Sequence, residues 1–222
     1  MKKAKKLREI LNNKINYINM IFKIPIKIEK EFVSDKLYFD INCEYHKVTS
    51  KNYIKKGELL LIEYPKINLF GEKEIDKALQ LMKLYNDKSE SELYPRNDDF
   101  YKSPMIKNIH KIISNSDIKL QNYFNKLTKS QIEKLYAKYL YNTFEGWEYG
   151  PLTLPLTAKF NHSCDPNIEY KFDKESGTMK VFALKNIKNN SELFDCYLSN
   201  KSIDNHSEYL FQHYGFNCCC KM

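Results

Sequence analysis

A chain of 222 residues, 42% hydrophobic and 14% aromatic, has ample material for a packed core, which excludes general disorder. No apolar run approaches the roughly 18–20 residues that span a bilayer, which excludes a membrane-spanning helix. The formal net charge is +8, but residues 1–30 hold eight lysines and Arg8 against Glu9 and Glu29, so about +1 is left for the rest.

That distribution decides which partners the basicity supports. The chain has only two arginines, Arg8 and Arg96, and arginine is the usual bidentate reader of guanine and phosphate. Direct base readout is not expected, and contact with nucleic acid is confined to the basic N-terminal arm. The lysine-rich start has no continuous apolar h-region, so it does not read as a secretory signal. The expectation is an intracellular protein, nuclear or cytoplasmic, with no membrane partner.

Residues 2–22 place Leu7, Ile10, Leu11, Ile15, Ile18 and Phe22 at spacings of three and four, which predicts an amphipathic helix with a charged back. Pro25 ends it, and Ile24, Ile26 and Ile28 alternate as in a short strand. From Lys36 to Phe70 the signal is β. Leu37-Tyr38-Phe39 is one run, and the turn Ile54-Lys55-Lys56-Gly57-Glu58 precedes a strand at Leu59-Leu60-Leu61-Ile62 that Pro65 closes.

Residues 75–87 look helical, and 86–104 form the most polar stretch, read as a surface loop. Helical texture returns from Ile106 to Tyr141, where Thr128-Lys129-Ser130-Gln131 reads as a capping box. After Gly150 three short strands are expected, Asn167–Phe172, Met179–Leu184 and Glu192–Leu198, followed by a helix over 203–213. An α+β domain with short strands and an inserted helical region fits this order. Its parts are an arm over 1–35, a β part over 36–72, the insert over 73–141, a second β part over 142–202 and a tail over 203–222.

The six cysteines are Cys43, Cys164, Cys196, Cys218, Cys219 and Cys220, too clustered for a disulfide scaffold. In an intracellular chain they stand as thiols, for metal binding or burial. Cys43 and Cys196 read as small buried hydrophobes. His162 lies two residues from Cys164, but no third group orients the pair as a hydrolase would need. His46, His110 and His206 read as surface or core histidines.

The most specific run is Asn161-His162-Ser163-Cys164-Asp165-Pro166-Asn167. It resembles the NHSCxPN signature of SET-domain protein lysine methyltransferases, especially the SMYD-like branch. Three further pieces follow the family's order. Tyr53 to Leu60 resembles the "I-x-K-G-E" turn with its strand, and Ser191 to Tyr197 resembles "GEEL-x-x-x-Y". Tyr214 to Cys220 resembles the post-SET "Y-x-F-x-C-x-C" element, and Asn142-Thr143-Phe144 is similar to the "N-S-F" that precedes the signature.

The resemblance implies an α+β SET-domain fold, with short-stranded sheets and a pseudoknot, carrying the inserted helical region and the N-terminal helix. It implies S-adenosylmethionine as methyl donor, zinc as a structural metal and a lysine-bearing protein, histone or not, as substrate. Tyr197 matches the catalytic tyrosine, Phe144 and Tyr214 the walls of the lysine channel, and Asn161, His162 and Phe216 the cofactor-binding residues. Cys164, Cys218 and Cys220 match zinc ligands. The pattern's last cysteine would fall immediately after Met222, with Cys219 and His213 as alternatives of less suitable spacing.

Two departures stand out. The usual G-x-G of the cofactor loop is replaced near Tyr45-His46-Lys47, and Asn190-Ser191 replaces the usual Gly-Glu turn. No cysteine lies between Cys43 and Cys164, so the MYND zinc module is absent. The altered cofactor loop leaves a second class open, a SET-like protein-interaction module without catalysis.

Overall fold

The computed structural model describes residues 29–40, 46–68, 79, 84, 93, 103–145, 151–198 and 205–220. The expected helix over 2–22, the short strand at 24–28, Cys43, Tyr45 and nearly all of 69–102 lie outside those residues. Within 75–87, Leu79 and Leu84 are helical.

Strands β1 (Phe32–Val33), β4 (Leu59–Glu63), β9 (Ile168–Asp173) and β10 (Thr178–Ala183) form an antiparallel sheet in the order β1-β4-β10-β9. Val181 stands opposite Leu61 and Tyr170, and Lys180 opposite Ile62 and Lys171. The apolar run of β4 is buried from Leu60 to Glu63, which is why it reads as continuous rather than alternating. Gly57 turns the chain into β4 at φ +82, and its amide donates to the carbonyl of Ala183 at 2.7 Å. Only glycine adopts that backbone without a steric penalty.

Smaller sheets surround this one. Strand β2 (Leu37–Asp40) pairs with β3 (Lys47–Ser50), and β7 (Pro151–Thr153) lies between β5 (Ile67–Asn68) and β6 (Thr143–Glu145). Leu37, Val48, Ile54, Leu60, Leu61, Phe160, Ile168, Val181 and Leu193 close one core between them. Glu63, at the end of β4, is buried with them, and its carboxylate accepts from the amides of Leu156 and Thr157 and from the Thr157 hydroxyl. It thereby caps the 3-10 turn Thr157–Lys159 that leads into Asn161. Burial is the main influence on that carboxyl and pushes its pKa up.

The insert builds a core of its own. Helices α1 (Asn108–Ser114), α2 (Ile118–Phe124) and α3 (Lys129–Tyr141) bury Ile109, Ile113, Leu120, Phe124, Ile132, Leu135, Tyr136 and Tyr139 together. The capping box opens α3 as expected: Thr128 Oγ1 accepts from the Gln131 amide, and Gln131 Oε1 from the Thr128 amide. The insert reaches the tail where the Ser103 hydroxyl donates to the carbonyl of Gln212 in helix α4 (His206–Tyr214).

The strands after Gly150 match the expectation at β9 and β10. The expected third strand, Glu192–Leu198, is much shorter. Strand β11 is only Phe194–Asp195, paired in parallel with β8 (Asn161–His162), while Glu192 makes an isolated bridge to Thr49. The physical reason is that this segment spends its hydrogen bonds on three different neighbours. Its amides and carbonyls bond Val48, Asn167 and Ser163 before the chain turns away at Tyr197. The parallel β8–β11 pair lays the signature beside the tyrosine motif, as the expected pseudoknot requires.

Asn190 accounts for one departure from the family pattern. It sits at φ +59, the left-handed region where glycine is usual, and its amide donates to the carbonyl of Ser50. Asparagine is among the few residues that tolerate this conformation, so the turn survives the replacement.

Candidate active site and cysteine cluster

Helix α4 begins at Asn205, whose side chain accepts from the Glu208 amide, and ends at Gly215 with φ +78. That left-handed cap reverses the chain so that Tyr214 and Phe216 both face the segment bearing Tyr197. The ring centroids of Tyr197 and Tyr214 are 4.7 Å apart, and those of Tyr197 and Phe216 are 6.3 Å apart. His162 joins them at 5.4 Å from Tyr197 and 5.9 Å from Phe216. His162, 35 positions before Tyr197, thus joins Tyr197, Tyr214 and Phe216 in one half-buried aromatic cluster.

Backbone and side-chain hydrogen bonds fix Tyr197 at both ends. Its amide donates to Nδ1 of His162 at 3.1 Å, and its hydroxyl donates to the carbonyl of Phe160 at 2.7 Å. Asn161, between those two partners, sends its side-chain amide to the carbonyl of His46 at 2.6 Å and to Glu192 Oε1 at 2.8 Å. The altered loop is therefore tied to the signature through His46. The His46 side chain is buried and Lys47 is exposed. Asn167, which sequence reasoning left without a role, pins β11 by accepting from the Phe194 amide and donating to the Glu192 carbonyl. The only signal for it was its place at the end of the signature.

The cysteines gather beneath this cluster. The Sγ atoms of Cys164 and Cys218 are 3.5 Å apart, and the donor atoms of His162, Cys164, Cys218 and Cys220 all lie within 4.8 Å of one another. Cys219 is exposed, and His213 stacks on Tyr209 at 4.1 Å, so neither alternative for a fourth ligand joins the group. The fourth side chain near the three sulfurs is His162, which the sequence assigned to the cofactor alone. Backbone amides already aim at two of the sulfurs: Cys164 donates to Cys220 Sγ and Cys220 to Cys218 Sγ, each at 3.4 Å.

Three thiols this close cannot all ionise without a cation. Burial and the Cys218 and Cys220 sulfurs push Cys164 up to about 12, while the amide of Cys164 draws Cys220 down. A bound cation inverts that balance by deprotonating its thiols. Thiolate donors at tetrahedral range, with amides aimed at the sulfurs, suit zinc. Burial, with His206 nearby as a lesser influence, lowers the pKa of His162.

Two residues stand apart from this arrangement. Phe144 packs its ring edge-on against Tyr170 at 5.2 Å, beside Leu152, Leu154 and Met179. Asp195 is buried in β11, where its carboxylate accepts from the Cys196 amide, and burial pushes it up to about 7. Sequence reasoning missed it because an acid inside a strand run carries no local sign of its burial. Cys196 is half-buried rather than buried. Among the described residues, no helix is long and apolar enough to cross a membrane.

Comparison with known proteins agrees with this fold. The chain is 30% identical over 200 residues to a SET domain-containing protein of Acanthamoeba polyphaga mimivirus, covering 78% of this chain and 76% of that one. It is 39% identical over 62 residues to a SET and MYND domain-containing protein of Dictyostelium discoideum, covering 28% of this chain and 12% of that one. A crystal structure of the SET domain of LSMT bound to lysine and AdoHcy superimposes with a TM-score of 0.60 at 13% identity. That match covers 85% of this chain but about half of the solved one, 54%, and shows the fold. The profile of the SET domain matches residues 46–198, which contain the signature, Tyr197 and the strands that hold them, and the chain belongs to the SET domain family.

Proposed function

We propose that the protein transfers a methyl group from S-adenosylmethionine to a lysine side chain of another protein, as a SET methyltransferase of SMYD-like type. The observation that carries this reading is the double anchoring of Tyr197, whose hydroxyl rests on the Phe160 carbonyl inside a cluster of three further rings. A methyl transfer is an in-line displacement, so catalysis is mostly a matter of holding the partners in geometry.

The residues divide the work. Tyr197 aligns the incoming amine, its hydroxyl oxygen kept at a set angle by the donated hydrogen bond. Tyr214, beside it, supplies an aromatic wall along which a neutral or methylated amine passes, with cation–π attraction for the product. Phe144 is the second wall in this reading by its place in the motif alone, its ring being packed on Tyr170. The half-buried face of Phe216 offers a stacking surface for a purine ring, and Asn161 and His162 hold the neighbouring backbone. S-adenosylmethionine, when bound, supplies a methyl group on a positively charged sulfur. Cys164, Cys218 and Cys220 would hold a structural zinc ion that fastens the tail carrying Tyr214 and Phe216 to the signature. The relative bound to lysine and AdoHcy supports the choice of substrate class.

Titration calorimetry with S-adenosylmethionine, on protein of measured zinc content, tests the reading. Saturable micromolar binding is the expected result. A folded, zinc-loaded protein that binds no cofactor would instead be a SET-like interaction module without catalysis.

A further inference from the structure

We propose that His162 is not a ligand of the zinc centre but a hydrogen-bond donor to the Cys164 sulfur, and that its ring couples that centre to the backbone of Tyr197. The proposal rests on the zinc reading above and deepens it.

The argument begins at Nδ1. A backbone amide can only donate, and the Tyr197 N–H points at Nδ1 of His162 at 3.1 Å. Nδ1 must therefore present a lone pair. A neutral imidazole carries one proton on its two nitrogens, so that proton sits on Nε2. Nε2 lies 3.4 Å from Cys164 Sγ, within donor range of a sulfur. Ligation of a metal through Nε2 would move the proton to Nδ1, leaving two N–H groups opposed across 3.1 Å.

Counting donors supports the same assignment. Cys218 Sγ receives the amide of Cys220, and Cys220 Sγ receives the amide of Cys164. Cys164 Sγ receives Nε2–H of His162. Among the described residues, each sulfur of the cluster has one N–H donor, two from backbone and one from this ring. A donor to a thiolate moderates its charge and orients it, as outer partners do in metal sites generally. The fourth ligand then comes from outside these four residues. His162 is also a positioning residue, because one ring links Cys164 to the amide of Tyr197.

The test reads the tautomer in the intact chain. Protein labelled with nitrogen-15 is loaded with zinc, its metal content is measured, and long-range proton–nitrogen spectra of the histidine rings are recorded. A His162→Gln sample assigns the signals by their loss. The expected spectrum shows Nδ1 of His162 bare and Nε2 protonated. Loading with cadmium-113 is expected to give no scalar coupling between the metal and either ring nitrogen. A protonated Nδ1 with cadmium coupled to Nε2 would overturn this proposal and leave the zinc centre standing. A full chain that takes up neither metal overturns the zinc reading, and this inference with it.

Discussion

The Tyr197 hydroxyl donates to the carbonyl of Phe160 at 2.7 Å, so the side chain read as catalytic is moored to the residue just before the signature. One consequence concerns stability. Tyr197→Phe removes a single partly buried hydrogen bond, worth about 1 kcal/mol, and keeps the ring packing. The variant is expected to fold and to bind S-adenosylmethionine as the parent does. Its methyl transfer is expected to fall by about 100-fold or more, as when a preorganised donor is lost. Radiolabelled methyl transfer to protein lysine measures this, and unchanged turnover would remove Tyr197 from the mechanism.

Asp195 makes stability depend on pH. Its carboxyl, buried in β11, keeps its proton up to about 7, whereas the unfolded chain releases it near 3.8. Between those values the unfolded state binds fewer protons, so this group's stabilisation is present below about 4 and is lost as pH rises to about 7. The full difference is at most about 4 kcal/mol. Asp195→Asn keeps an acceptor for the Cys196 amide and cannot ionise. Thermal melts should show the variant gaining on the parent at pH 8 and not at pH 4; parallel profiles would count against the shift.

Glu63 joins two parts of the domain. Its carboxylate takes two amides and a hydroxyl from the turn before the signature. Glu63→Ala strands three donors, two of them buried, and is expected to cost about 3 kcal/mol. Denaturant unfolding measures it, and a loss under about 1 kcal/mol would mean the turn repacks.

Metal removal should loosen the tail first. With zinc bound, Cys164, Cys218 and Cys220 are expected to resist alkylation while exposed Cys219 reacts at once. Chelation should release about one ion per chain, expose three more thiols and lower the melting temperature. Thiol counts that do not change on chelation would rule out zinc at this cluster.

Asn190 tests the altered turn. Asn190→Gly should leave stability nearly unchanged, while Asn190→Ala should cost about 1 kcal/mol because its φ is +59. Equal melts for the two variants would show that the turn relaxes.

Much of this was legible from residues alone, wherever the signal was local. The capping box at Thr128, the turn at Gly57, strands β9 and β10 and the helix before Gly215 depend on neighbours within a few positions. The motif pieces also stood in order along the chain. The third late strand failed as an expectation because its apolar residues, Leu193, Phe194, Cys196, Tyr197 and Leu198, read locally as strand material. The hydrogen bonds of that segment go instead to Val48, Asn167 and Ser163, partners that no local pattern reveals.

The sequence by itself determined the family, the elements and which residue types could do chemistry, because those follow from spacing and side-chain identity. Tertiary structure alone decided what each of them faces. It put His162 against both Tyr197 and Cys164, kept Cys219 and His213 out of the cysteine cluster, set Phe144 on Tyr170 and buried Asp195. The reason is that the parallel pairing of β8 with β11 brings together segments more than 30 residues apart, and donor direction, burial and proton placement exist only once they meet.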